Sequence, residues 1–182
     1  MSFTSNTTQG TVAYNPSGFF NQGAVVANDG SALIHTALTS VSEFEIPLGK
    51  YERVLGEIAL WYDSDNTSEF KFKFKNEDSS GSAIASTMHY SATGIITMDT
   101  DADITAAGTS VEAVAVTNTD GDGAVITLDA GSSETDARFA RISFNVISSA
   151  ATNGTLKFYA GEIADAADCH LLAGSYIAWK KF

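Results

Sequence analysis

Hydrophobic and polar residues exchange places at every second position through several stretches of this chain. The clearest is Glu69-Phe70-Lys71-Phe72-Lys73-Phe74-Lys75. An extended strand points successive side chains to opposite faces, so this segment makes one face aromatic and the other charged. A helix would scatter both kinds around its circumference. The spacing predicts a strand with Phe70, Phe72 and Phe74 on a core and the lysines in water, where they also discourage edge-to-edge pairing. Residues 138–146 alternate as well. Phe139, Arg141, Ser143 and Asn145 lie on one face, and Ala140, Ile142, Phe144 and Val146 on the other.

Shorter β-favouring runs predict further strands at 24–27, 33–38, 43–46, 51–62, 83–90, 94–98, 111–117, 124–128, 155–159 and 176–180. Asn28-Asp29-Gly30 is a hairpin signal, because these residues accept φ > 0. Pro47 closes the run 43–46. Asp78-Ser79-Ser80-Gly81, Ala107-Gly108, Asp120-Gly121-Asp122-Gly123 and Thr152-Asn153-Gly154 mark other turns. Gly56, inside a long run that ends Trp61-Tyr62, suggests a bulge or bend. A short helical turn fits 163–167, and no long amphipathic helix is evident. About ten strands without intervening helices predict an all-β antiparallel β-sandwich, jelly-roll-like in architecture. No segment repeats at a fixed period. Residues 1–22, rich in Ser, Thr, Asn and Gly, read as a flexible N-terminal arm, which leaves 23–182 as one sandwich domain.

Composition narrows the function classes. A length of 182 residues with 44% hydrophobic and 18% charged side chains supports one domain with a sizeable core. The net charge of -12 disfavours nucleic acid and anionic membrane as partners, since both would be repelled. It also serves solubility. The lone Cys169 permits no intrachain disulfide, which suits assembly in a reducing cytoplasm. The first residues lack a basic and apolar leader pattern, and no apolar run reaches the ~20 residues of a membrane span.

Reactive constellations are sparse. Asp99, Asp101 and Asp103 alternate like the start of a calcium loop, but the sixth and twelfth positions hold Ile104 and Ser110 where Gly and Glu belong. Asp120-Gly121-Asp122-Gly123 has the turn without a matching downstream carboxylate. His35, His89 and His170 show no metal-ligand spacing. Cys169 and His170 are adjacent, so on a strand they face opposite ways and cannot act as nucleophile and base. Gly174-Ser175 lacks the elbow that exposes a nucleophilic serine. These readings predict no enzyme, no cofactor and no metal. Trp61, Tyr62 and Trp179 would suit either a sugar-stacking surface or the core between two sheets. Phe19 and Phe20 either tuck under the protein's own sheet or anchor the arm on a neighbour. Together with Trp179 they are the candidate partner contacts.

The C-terminal segments Gly154-Thr155-Leu156-Lys157-Phe158-Tyr159-Ala160 and Ala173-Gly174-Ser175-Tyr176-Ile177-Ala178-Trp179-Lys180-Lys181-Phe182 resemble the ending of a group of small tailed-bacteriophage virion proteins. In that group a Gly-Thr-Leu strand precedes a short loop and an Ala-Gly-Ser-aromatic strand. Residues 51–63 followed by 69–75 are similar to the group's paired strands, an aromatic-ended one before a Phe-Lys-Phe-rich one. The resemblance covers 43–182. It implies a virion structural protein, a capsid decoration or cement protein on the outer surface of the head shell; the alternative is a tail-fibre, spike or adaptor module that binds glycans. The implied partners are the major capsid protein or neighbouring virion proteins, with homotrimers suited to threefold positions.

Overall fold

The computed structural model describes residues 4–5, 12–13, 20, 22–26, 37–63, 70–93, 113–117, 121–123, 125–128, 138–149, 151–162 and 169–182. Thirteen strands and no helix occur among the described residues. They are β1 (Thr4–Ser5), β2 (Val12–Ala13), β3 (Gln22–Val25), β4 (Thr39–Leu48), β5 (Arg53–Asp63), β6 (Phe70–Glu77), β7 (Ser86–Thr93), β8 (Ala113–Thr117), β9 (Ile126–Leu128), β10 (Arg138–Ser148), β11 (Gly154–Glu162), β12 (His170–Leu171) and β13 (Tyr176–Lys181).

Two antiparallel sheets form. The smaller has the order β4-β11-β6-β9. The larger runs β1-β2-β3-β13-β5-β10-β7-β8, with β12 also on β5. The eight strands from β4 to β11 pair first with eighth, second with seventh, third with sixth and fourth with fifth. That nesting is a jelly roll, two Greek keys folded into facing sheets. β13 adds to the free side of β5, and β3, β2 and β1 follow it outward. The described parts of the arm therefore extend the larger sheet.

Alternation decides which face each residue takes. In β6, Phe70, Phe72 and Phe74 are buried while Lys71, Lys73 and Lys75 are half-exposed. In β10, Ala140, Ile142, Phe144 and Val146 are buried, with Arg141, Ser143 and Ile147 outward. The inward rings meet between the sheets. Phe74 lies 5.0 Å from Phe144, 5.1 Å from Tyr90 and 5.5 Å from Phe158 between ring centroids. Tyr62 of the larger sheet lies 4.8 Å from Phe70 of the smaller. Rings at these separations add about 0.5–1.5 kcal/mol per pair beyond the area they bury.

Three local expectations differ from the structure. β4 runs through Pro47 instead of ending there, because β4 is an edge strand and a missing N–H can face away from the sheet. Gly56 makes no bulge; its register with Phe144 on one side and Trp179 on the other is continuous. A register shift occurs instead in β11, between Lys157 and Tyr159 against β4. β5 and β6 are not hydrogen-bonded to each other: they lie in opposite sheets and touch through Tyr62 and Phe70. The predicted hairpin at Asn28-Asp29-Gly30, the strands at 33–38 and 94–98 and the turn at 163–167 lie wholly or largely outside the described residues.

Gly56 is needed for space. A Cβ there would sit 2.2 Å from Cζ of Phe144 and 2.7 Å from the Ala178 carbonyl oxygen. We expect Gly56→Ala to destabilise the fold by about 1–3 kcal/mol, as overpacked cores do. Urea unfolding checks this, and an unchanged midpoint would contradict it.

Candidate functional site

The outward face of the larger sheet is built in cross-strand rows. At the end where β5 starts, Phe182, Arg53 and Ile147 lie side by side. Phe182 and Arg53 exchange both backbone hydrogen bonds, at 2.9 and 3.3 Å, and Arg53 is opposite Ile147. The next row is Lys180, Leu55, Asn145 and His89, and the one after is Ala178, Glu57, Ser143 and Ser91. Residues opposite one another on neighbouring strands are about 4.5–5.5 Å apart, so each row is continuous.

Polar contacts tie the rows together. Arg53 Nε donates to Asn145 Oδ1 at 3.0 Å, and Arg141 Nε donates to Glu57 Oε2 at 3.1 Å. The Lys180 ammonium sits over the Phe182 ring, 5.2 Å from its centroid. Beyond the first row, the β4–β5 turn presents Tyr51 with φ 55° and 68% exposure. Glu52 holds this turn by accepting from Gly49 N at 2.7 Å, and Lys181 pairs with Glu52 at 3.2 Å. Tyr51, Ile147 and Phe182 are three of the four exposed large hydrophobic residues among those described.

An open concavity of about 420 Å³ adjoins these rows, lined by Phe20, Leu55, Glu57, His89, Ser143 and Asn145 among others. Phe20 is half-buried there, so this aromatic lies against its own sheet. Phe19 lies outside the described residues. Trp179, opposite Gly56, turns inward and packs half-buried on the core. Of the two described candidate contacts, Phe20 lies on the outward face and Trp179 on the inward one.

The lysine face of the smaller sheet neutralises itself. Lys75 and Lys157 both reach Glu77 at 2.9 Å, Lys157 also approaches Glu45 at 3.5 Å, and Lys73 pairs with Asp122 at 2.6 Å. Tyr159 Oη donates to Glu77 Oε2 at 2.9 Å. Glu77 is only 3% exposed. Burial pushes its carboxyl up, but the hydrogen bonds from Lys75, Lys157 and Tyr159 outweigh that and hold it below the usual carboxylate range. Burial, reinforced by the bond to Glu77, pushes the Tyr159 phenol up to about 12.

The other chemical candidates are dispersed. Cys169 is fully buried in the core, and His170 turns to Asp63, with Nδ1 and Oδ1 2.8 Å apart. Ser175 is fully buried; its hydroxyl accepts from Trp61 N at 2.9 Å and donates to Trp61 O at 3.1 Å. That serine is a staple between β13 and β5, not a nucleophile. Gly174 before it has φ 90°, a conformation that favours glycine, so Ala-Gly-Ser-aromatic encodes the turn and the staple together. Trp61 packs outward against Phe139, ring centroids 4.9 Å apart and tilted by 53°, while Tyr62 is in the core and Trp179 faces it, so they form no common sugar platform. Lys73 occupies the carboxylate of Asp122, and no metal-holding cluster occurs among the described residues. Asp99, Asp101, Asp103 and His35 lie outside them.

Sequence reading missed the end cluster of Tyr51, Arg53, Ile147 and Phe182. One signal was present. Carrying the alternation of 138–146 one position further puts apolar Ile147 on the outward face.

No family model and no curated protein matches this chain. One chain in a structure described as that of infectious bursal disease virus, Gx strain, aligns with 88% of this chain and 42% of its own length, at 10% identity and a TM-score of 0.20. This chain thus spans less than half of that one.

Two measurements check the networks. Because the folded-state pKa of Glu77 is depressed, its stabilisation is complete above the unfolded value of about 4.3 and is lost as pH falls through the lower folded value. The stability gap between wild type and Glu77→Gln should therefore be widest near pH 7 and close towards pH 3; a pH-independent gap would contradict the assignment. Ser175→Ala, which strands the Trp61 amide while Leu172 N still donates to the Trp61 carbonyl, should cost about 1–3 kcal/mol in chemical unfolding.

Proposed function

We propose that this chain is a structural protein of a tailed-bacteriophage particle, a capsid decoration or cement protein bound to the outer surface of the head shell. The observation that carries this reading is how the resembling segments fit together. Ala173-Gly174-Ser175-Tyr176 turns into β13 and staples it to β5, the aromatic-ended strand, through Ser175 and Trp61. Gly154-Thr155-Leu156 opens β11, which pairs along β6, the Phe-Lys-Phe strand.

The physical chemistry agrees with a binding rather than a catalytic role. Phe70, Phe72, Phe74, Phe144 and Phe158 turn inward, and the described histidines, Cys169 and Ser175 are separated or buried. A jelly roll supports many functions, so the fold alone selects none of them. Many weak contacts on a shell lattice would add up through multivalency, and a homotrimer would match threefold positions.

A second reading, a tail-fibre, spike or adaptor module, draws on the concavity beside Phe20, where Glu57, Ser143, Asn145 and His89 offer the polar contacts a glycan needs. Quantitative mass spectrometry of purified particles separates the two. A decoration protein should be present in copy number comparable to a multiple of the shell's symmetry positions. One or a few copies would overturn that role and favour the tail.

A further inference from the structure

Strand direction gathers several basic residues beside the β4–β5 turn. β5 and β7 start, and β4, β6, β10 and β13 finish, at one end, as the register of each pair requires. Beside the β4–β5 turn that end carries Lys50, Arg53, Lys180 and Lys181 against Glu52; on its β6 side it carries Asp78 and Asp122, and Lys73 meets Asp122. A chain of net charge -12 thus keeps one locally basic patch beside the β4–β5 turn.

The exposed apolar residues collect at the same basic end. Tyr51, Ile147 and Phe182 surround Arg53, with Lys180 over the Phe182 ring. Tyr51 is held at φ 55° in the left-handed region, which is unfavourable for a bulky side chain, and its ring is left in water. Aromatic residues and arginine ringed by charge are the composition of an interface core rather than of ordinary surface.

Resting on the proposed virion role, we infer that this basic, aromatic end is the docking surface, and that its partner is an acidic protein surface on the head shell with an apolar recess for Tyr51 and Phe182. Charge complementarity selects the partner. The lysine face of the smaller sheet is not an alternative, because Glu45, Glu77 and Asp122 already meet its ammonium groups. A nucleic acid would feel the whole chain's negative charge over a Debye length of about 8 Å, whereas a compact acidic patch meets the basic end at contact range.

Zero-length carbodiimide cross-linking of purified particles tests this, because it joins only amines and carboxylates already in contact. Lys50, Lys180 and Lys181 should be joined to Asp or Glu of a shell protein. Cross-links from Lys71 or Lys73 instead, or from Lys50 to a second copy of this chain, would overturn the docking surface and leave the virion role standing. Absence of the chain from particles would overturn both. The variant Tyr51→Gly fits the left-handed backbone while removing the ring. It should melt at or above the wild-type temperature yet bind particles lacking the protein at least tenfold more weakly. Unchanged binding by Tyr51→Gly and by Lys50→Glu would overturn the inference.

Discussion

The aromatic contact between the sheets is the constraint on which the rest depends. Phe74 reaches Tyr90 and Phe144 across the interior and Phe158 beside it, and Phe72 stacks on Phe158 at 5.4 Å. A pleated strand cannot put its rings inward without putting its lysines outward. A slip of one residue would exchange the two faces, so burial of the rings also fixes the register of β6 against β11 and β9.

Once the register is fixed, the outer faces follow. On the smaller sheet, Lys157 stands opposite Lys75, and the like charges are tolerable because Glu77 accepts from both. On the larger sheet, the same parity aligns Phe182, Arg53 and Ile147 into one row and brings the basic residues near the β4–β5 turn. The glycine at 56 belongs to this logic, since the inward ring of Phe144 fills the place of its side chain. Core and binding face are two sides of the same strands.

The sandwich was legible in the sequence where alternation was strict, as in β6 and β10, because period-two patterning reports directly on which face is buried. It was less legible where the cause lies in tertiary context. Pro47 inside β4 is acceptable only on an edge, and edge position depends on the order of the strands. Gly56 resembles a bend until Phe144 is seen in its space. Ser175 resembles a generic turn residue until Trp61 is placed beside it by strands more than a hundred residues apart in sequence. The cluster at the basic end was hidden for the same reason: Tyr51, Ile147 and Phe182 are scattered along the chain and converge only after the sheet has formed.

That the inward phenylalanines of β6 bridge the two sheets is tested most directly by nuclear Overhauser contacts between labelled aromatic rings in solution. The account predicts cross-peaks from Phe74 to both Tyr90 and Phe144. Contacts from Phe74 to neither ring, with the Lys73 methylenes instead close to Phe144, would contradict it.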